Sequence, residues 1–368
     1  MIKPEELQQV ILEGEITMAN TQQLERALGD NLTWNKARIN FLSKFLMALI
    51  QVRTVNLVEI ANSFAGKAKE ESNYKRIQRF LRYYELSYAV IAVFVVQLVG
   101  SPKPWVLTID RTDWQFGKEA LNILTLGIAY RGVAFPLLWK ILEKKGNSNT
   151  EERKALIEEY IKLFGTASIL YLCADREFIG KKWFAYLLSN RIDFRIRIKE
   201  NTLVPNACGQ MRNAWQLFAF TRTGEAIVLE QARRIWEQDL YFSGMRLETG
   251  EYLIIVAPSF SPTPIEDYGR RWEIETLFGC LKSRGFRLED THLTKPERIK
   301  KLIALLAIAF CWAHIVGEWL AELKPIKIKK HGRLAKSIFR LGFDKLRRVF
   351  TNFEPTNFSM LCSFLSCT

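Results

Sequence analysis

The chain has 368 residues, 48% of them hydrophobic, and a net charge of +14. That length suggests two or three domains and the apolar content supplies a sizeable core, which excludes global disorder. The surplus of 53 Lys and Arg over 39 Asp and Glu calls for a polyanionic partner, nucleic acid or an anionic membrane surface. Six cysteines form no Cys-x-x-Cys pair and only three histidines occur, so a zinc finger or a His/Cys metal cage has little support. Met1 leads into the polar MIKPEELQQV, not into a signal peptide, and free thiols in a reducing, cytoplasmic setting are expected.

Residues 1–98 read as a helical region. TVNLVEIANSF has apolar residues at helical spacing. After the turn-prone AGKAKEES, a second helix is expected from an N-cap at Ser72 through NYKRIQRFLRYYEL. Its apolar stripe is Ile77, Phe80, Leu81 and Tyr84, and Lys75, Arg76, Arg79 and Arg82 lie off that stripe. Two helices around a turn, the second one basic, suit a DNA-binding module; a solvated basic helix has the same pattern. The apolar run Tyr88–Gly100 is too short to span a bilayer.

The texture changes at Ser101. After the breaker SPKPW, the runs WVLTIDRTDW, NILTLGIAYRG and VAFPLLWKIL predict three meandering antiparallel strands. GNSNT supplies a turn and a cap for the amphipathic helix EERKALIEEYIKLF, with Ala155, Leu156, Tyr160, Ile161 and Phe164 inward. SILYLCADREF is a strand, KKWFAYLLSN a helix and IDFRIRIKE a strand. Together 99–202 has the element order of a ribonuclease-H-like core, a mixed α/β sheet flanked by helices. From about Asn201 to Ser261, EAIVLEQARRI, LYFSGMRLE and EYLIIVAPSF read as more strands, and SPTP breaks them. One helix is expected from near Ile265 to Lys282. The apolar stretch Leu302–Leu320 carries His314 and Glu318 and reads as a buried core helix, so no membrane partner is expected. Lys324–Arg348 holds ten Lys or Arg and one Asp. Lys327, Lys329, Lys330 and Arg333 are its candidate DNA contacts, as a phosphate-tracking surface; a solvated basic helix is the alternative. No motif marks the tail, 351–368.

The chemistry concentrates in three carboxylates. Asp110 is expected at the end of the first strand and Asp175 at the end of the fourth, side by side in a ribonuclease-H-like order. Adjacent carboxylates repel, and a hard divalent cation with oxygen ligands, Mg²⁺ or Mn²⁺, relieves that repulsion. In YGRRWEIETLFGCLK, gaps of three, four and seven residues put Tyr268, Arg271, Glu275 and Lys282 on one helix face. A carboxylate beside two cations and a phenol can serve a metal and a phosphodiester together. Each part alone has an ordinary reading, a turn aspartate or an i,i+4 ion pair. Asp113 and Glu177 are nearby acids ranked below the main pair.

The spacing Tyr-x2-Arg-x3-Glu-x6-Lys resembles the signature of the DDE transposases of the insertion-sequence-four family, and LTIDRTDW and ADREF resemble its two aspartate motifs. The resemblance covers residues 100–345, and it implies a ribonuclease-H-like core interrupted before the glutamate helix by a β-rich insertion, here 203–263, with 264–350 as the second part of the core. It implies that Asp110, Asp175 and Glu275 bind two magnesium ions and that Tyr268, Arg271 and Lys282 grip DNA phosphates near the cleaved end. It further implies cut-and-paste transposition: hydrolysis and strand transfer at the terminal inverted repeats, with double-stranded donor and target DNA as partners and a homodimer in the synaptic complex. The setting implied is bacterial, cytoplasmic and nucleoid-associated. A hairpin route would need an aromatic to stack an extruded base, for which Trp215 is a candidate. A structure-specific nuclease on the same core and a non-catalytic DNA-binding repressor are the alternatives.

Overall fold

A computed structural model describes residues 21–64, 66, 68–116, 119–330, 332–352 and 355–366. The start of the expected N-terminal helical region, residues 1–20, lies outside the described residues, as do His331 and Cys367. The chain divides into two compact units. One comprises Met1–Gly100, Phe116–Glu119 and Phe278–Thr368, the other Ser101–Gln115 and Ala120–Leu277.

The first unit begins with helices α1 (21–29), α2 (Lys36–Val52), α3 (Leu57–Asn62), α4 (Glu70–Tyr83) and α5 (Tyr88–Val99). Helix α4 starts two residues before the expected cap at Ser72: Lys69 is the N-cap, and Glu70 and Glu71 occupy the first turn. Acidic side chains there complement the helix dipole. Ile77, Phe80 and Leu81 are buried as expected.

The second unit holds the sheet. Strands β1 (Trp105–Phe116), β2 (Glu119–Tyr130) and β3 (Val133–Leu142) follow one another. Arg131 and Gly132 turn the β2–β3 hairpin at φ 51° and 87°, the double positive φ of a tight two-residue turn. Helix α6 (Thr150–Phe164) is started by a capping box of Asn149 and Glu152. Its inward face is Arg153, Leu156, Ile157 and Tyr160, with Ala155 exposed. Strand β4 (Ile169–Ala174), helix α7 (Lys181–Ser189) and strand β5 (Phe194–Ile198) complete the expected order.

The β-rich segment supplies β6 (Leu203–Pro205), β7 (Met211–Asn213), β8 (Ala226–Val228), β9 (Arg233–Ile235), β10 (Gln238–Arg246) and β11 (Tyr252–Ala257). The main sheet runs β3-β2-β1-β4-β5-β11-β10-β8, with β9 paired to β10. The β1–β4 and β4–β5 pairs are parallel; β2–β3, β5–β11 and β10–β11 are antiparallel. This is a ribonuclease-H-like mixed sheet, extended beyond β5 by strands of the insertion. The expected single helix after it is two, α8 (Pro264–Gly269) and α9 (Trp272–Leu281). Between them the bonds tighten to i→i−3: Arg271 N–H to Tyr268 O, Glu273 N–H to Arg270 O and Ile274 N–H to Arg271 O.

The chain then adds α10 (Pro296–Leu323), α11 (Ile338–Asn352) and α12 (Pro355–Ser363) to the first unit. Helix α10 is the apolar stretch of the sequence. It is the one described helix long and apolar enough to cross a membrane, and 89% of its most apolar window is buried inside the protein. Helices α2, α4, α5 and α11 pack around it. Gly317 on α10 and Gly342 on α11 let the two backbones touch, because a Cβ on either would meet the other helix's carbonyl oxygens.

Candidate active site

Parallel pairing of β1 with β4 ends at Ile109 opposite Ala174. The next residue on each chain is an aspartate, so register alone brings Asp110 and Asp175 to one level. The expectation that both sit at strand ends holds for Asp175 only. Strand β1 continues to Phe116, because β2 still lies beside it after β4 has stopped.

Asp110 has a side chain 16% exposed. Burial pushes its pKa up to about 7; Asp175 and Glu177 add to this, and the Arg111 N–H and Arg271 oppose it. The Arg111 N–H donates to Asp110 Oδ1 at 2.7 Å. Asp175 accepts from the Tyr268 hydroxyl at 3.4 Å.

Helix α8 is seated so that it can present Tyr268. Ile265 and Tyr268 pack with Leu253 and Ile255 of β11. Asp267 accepts from Arg195 Nε of β5 at 3.2 Å and from Ser261 Oγ at 2.8 Å. Tyr268 is 1% exposed, and that burial raises its pKa. Arg271 follows at the junction of the two helices. Its Nη1 lies 2.6 Å from Glu275 Oε1 and 3.6 Å from Asp110 Oδ2, and its Nε is buried with no hydrogen-bond partner. Glu275, in the first turn of α9, keeps a side chain 53% exposed.

Five of the six expected site residues are thus linked: Asp110 with Arg271, Asp175 with Tyr268, and Glu275 with the same Arg271. Lys282 belongs to the other compact unit, where its ammonium lies 2.8 Å from Glu289. The lower-ranked acids are otherwise engaged. Glu177 lies 3.4 Å from Arg111, and Asp113 is mostly exposed, 3.6 Å from the same guanidinium. Trp215 is half-buried, its ring 6.2 Å from that of Tyr252. Trp272, absent from the expected set, is 46% exposed; its ring lies 5.2 Å from the Arg271 guanidinium and edge-on to Tyr268 at 5.6 Å. Its signal in the sequence is an aromatic directly after the signature arginine.

Among the described residues no three His, Cys, Asp or Glu side chains already converge as a metal cage. The donor chemistry nevertheless suits a hard divalent cation at Asp110 and Asp175. They are oxygen ligands, and the burial that raises the Asp110 pKa to about 7 is a penalty on its charged form that a cation would offset. The third carboxylate, Glu275, is engaged by Arg271.

Of the other expected DNA contacts, Lys75, Arg79 and Arg82 are exposed on α4. Arg76 is not: its Nη2 donates to Asn40 Oδ1 at 2.9 Å and its guanidinium turns toward the Phe41 ring. Lys327, Lys329, Lys330 and Arg333 are exposed between α10 and α11, on a narrow turn where Ile328 bridges Leu334 and not on a helix.

A family model described as "Transposase DDE domain" matches residues 101–312, more than half of the chain. No curated protein matches it. Among solved structures, a chain of the piggyBac transposase synaptic complex with hairpin DNA aligns at 10% identity over 87% of this chain and 73% of that one, with a TM-score of 0.47.

Proposed function

The chain belongs to the transposase DDE-domain family and is a DDE-type DNA transposase, and on that premise we propose that it performs cut-and-paste transposition as a member of the insertion-sequence-four group. The observation that carries this reading is the register of β1 on β4, which brings Asp110 and Asp175 to one level beside the helix pair bearing Tyr268, Arg271 and Glu275.

Asp110 and Asp175 would hold divalent metal, Mg²⁺ or Mn²⁺, with Glu275 as the third carboxylate. Held there, such a cation would supply activation of the attacking hydroxyl and charge neutralisation at the leaving 3′ oxygen. The chain's own groups do the rest. Arg271 offers a guanidinium fork to a phosphate as well as to carboxylates. Tyr268 presents its hydroxyl toward Asp175, and burial keeps it protonated as a donor. Trp272 is the better-placed aromatic for an unstacked base, since it lies against Arg271; Trp215 faces Tyr252 instead. Lys282 would contact phosphate near the cleaved end. The partners are the terminal inverted repeats and a target duplex, met by a dimer of this chain.

The test is an incubation of the protein with Mg²⁺, end-containing DNA and a plasmid target. Cleavage followed by joining of the ends to the plasmid is expected. Cleavage without joining would make the chain a nuclease on the same core, and binding without cleavage a repressor.

A further inference from the structure

Helices α4 and α10 of the first unit enclose an open groove of about 470 Å³. Lys75, Arg79 and Arg82 of α4 line one wall, at positions i, i+4 and i+7, which share a face. Arg298, from the first turn of α10, closes the other wall, and Tyr83 stands at the rim, 68% exposed. Among the described residues none of these four cations forms an ion pair with a carboxylate. A merely solvated basic face intersperses acids with its bases; the acids of α4 sit instead in its first turn, at Glu70 and Glu71.

The walls are fixed to each other. The Lys301 ammonium, 7% exposed and one turn along from Arg298, donates to the Leu81 carbonyl at 3.1 Å. Ile77, Phe80 and Leu81 bury the opposite face of α4. Arg76 is turned away to Asn40, so the helix's cations divide into one that serves packing and three that face the groove. Beside the rim, the Arg82 guanidinium lies 5.2 Å from the Tyr83 ring, an exposed cation–aromatic pair.

We infer that this groove grips the phosphodiester backbone of duplex DNA without reading its bases, with Arg298 as the closing cation. The inference rests on the transposase reading for the presence of DNA, and on the groove alone for where the strand lies. One phosphate can engage one or two such side chains. A run of phosphates engages all four, which favours a polymer over a small anion. Lysine and arginine on phosphate oxygens position a duplex but carry no sequence information. Helix α4 is then a backbone clamp and not a recognition helix entering the major groove.

The experiment is fluorescence anisotropy with the full chain in chelator. The probes are a duplex of unrelated sequence, a duplex carrying the terminal repeat and a single strand, each titrated between about 50 and 200 mM salt. The slope of log affinity against log salt is expected to flatten by about 0.9 in Arg298→Gln and by about 2.7 in the Lys75→Gln, Arg79→Gln, Arg298→Gln triple variant. The change should be equal on both duplexes and smaller on the single strand. Circular dichroism melts check that these surface variants stay folded. Unchanged slopes would overturn the groove assignment, as would a loss confined to the terminal-repeat duplex, which would mean base reading. Loss of binding to phosphatidylserine vesicles in place of DNA would overturn it too. Failure of the activity reading looks different: the wild-type chain would bind duplex with the full slope yet not cleave it in Mg²⁺.

Discussion

The Arg271 guanidinium lies 2.6 Å from the carboxylate of Glu275, one turn along the chain, and the same nitrogen reaches to 3.6 Å from Asp110 on β1. A local pair of this spacing is ordinarily worth only ~0.3–0.5 kcal/mol. Here the arginine is buried, 6% exposed at its side chain, and it answers to two acids from different elements. It stands as a cation between carboxylates that the proposed chemistry assigns to metal.

Glu275→Gln is therefore expected to separate stability from activity. The side chain is half-exposed and a glutamine keeps an oxygen for the buried Arg271 guanidinium, so the melt should move much less than cleavage does. Removing a carboxylate from the reacting centre should slow Mg²⁺-dependent cleavage of end-containing DNA by about 10²–10³-fold or more. A thermal melt and a single-turnover cleavage assay read the two quantities. Retention of wild-type cleavage would refute the assignment of Glu275.

Tyr268 divides in the same way by substitution. Tyr268→Phe keeps the ring buried against Leu253, Ile255 and Ile265 and removes only the hydroxyl that faces Asp175, so the melt should move by little while cleavage falls. Tyr268→Ala opens a cavity beneath α8 and should destabilise by about 3–5 kcal/mol. If Phe and Ala variants lost activity only in proportion to lost stability, the hydroxyl would have no role of its own.

Asp110 sets a pH dependence with a definite sign. Its pKa is raised by burial to about 7, whereas an unfolded aspartate titrates near ~3.9. Between those values the folded state keeps a proton that the unfolded state has released. The stabilising contribution is full below about 4 and is lost as pH rises through about 7. In chelator, Asp110→Asn should gain on the wild type as pH is raised across that window, by up to about 4 kcal/mol. A constant difference between the two melts from pH ~4 to ~8 would contradict this.

Gly342→Ala tests the crossing of α10 and α11. The added Cβ would collide with the Ala313 carbonyl, a backbone atom that cannot rotate away. Overpacking of this kind should destabilise by about 1–3 kcal/mol, read as a lower denaturant midpoint. Gly29→Ala, where an added Cβ meets open space, should leave the stability within about 0.5 kcal/mol.

Much of the fold was legible locally. Apolar runs of strand length ending in aspartate, a cap before α6, the 3.6-residue spacing of α4 and α6 and the continuous apolar run of α10 are written in short windows, because backbone propensity and burial act over a few residues. The two aspartates and the Tyr-Arg-Glu spacing belong to that class. Tertiary structure decided the rest. Strand β1 runs past Asp110 because its neighbour β2 outlasts β4, a fact of register. The expected single helix splits at Arg270 and Arg271, where i→i−3 bonds tighten the chain. Arg76 turns inward to Asn40 while Lys75 and Arg79 stay out, although all three alike lie off the apolar stripe in the sequence. Arg298 comes beside α4 from more than two hundred residues away, and Arg271 is shared between Asp110 and Glu275. Partnerships such as these depend on which surfaces the packed core brings together, and local periodicity carries no record of distant neighbours.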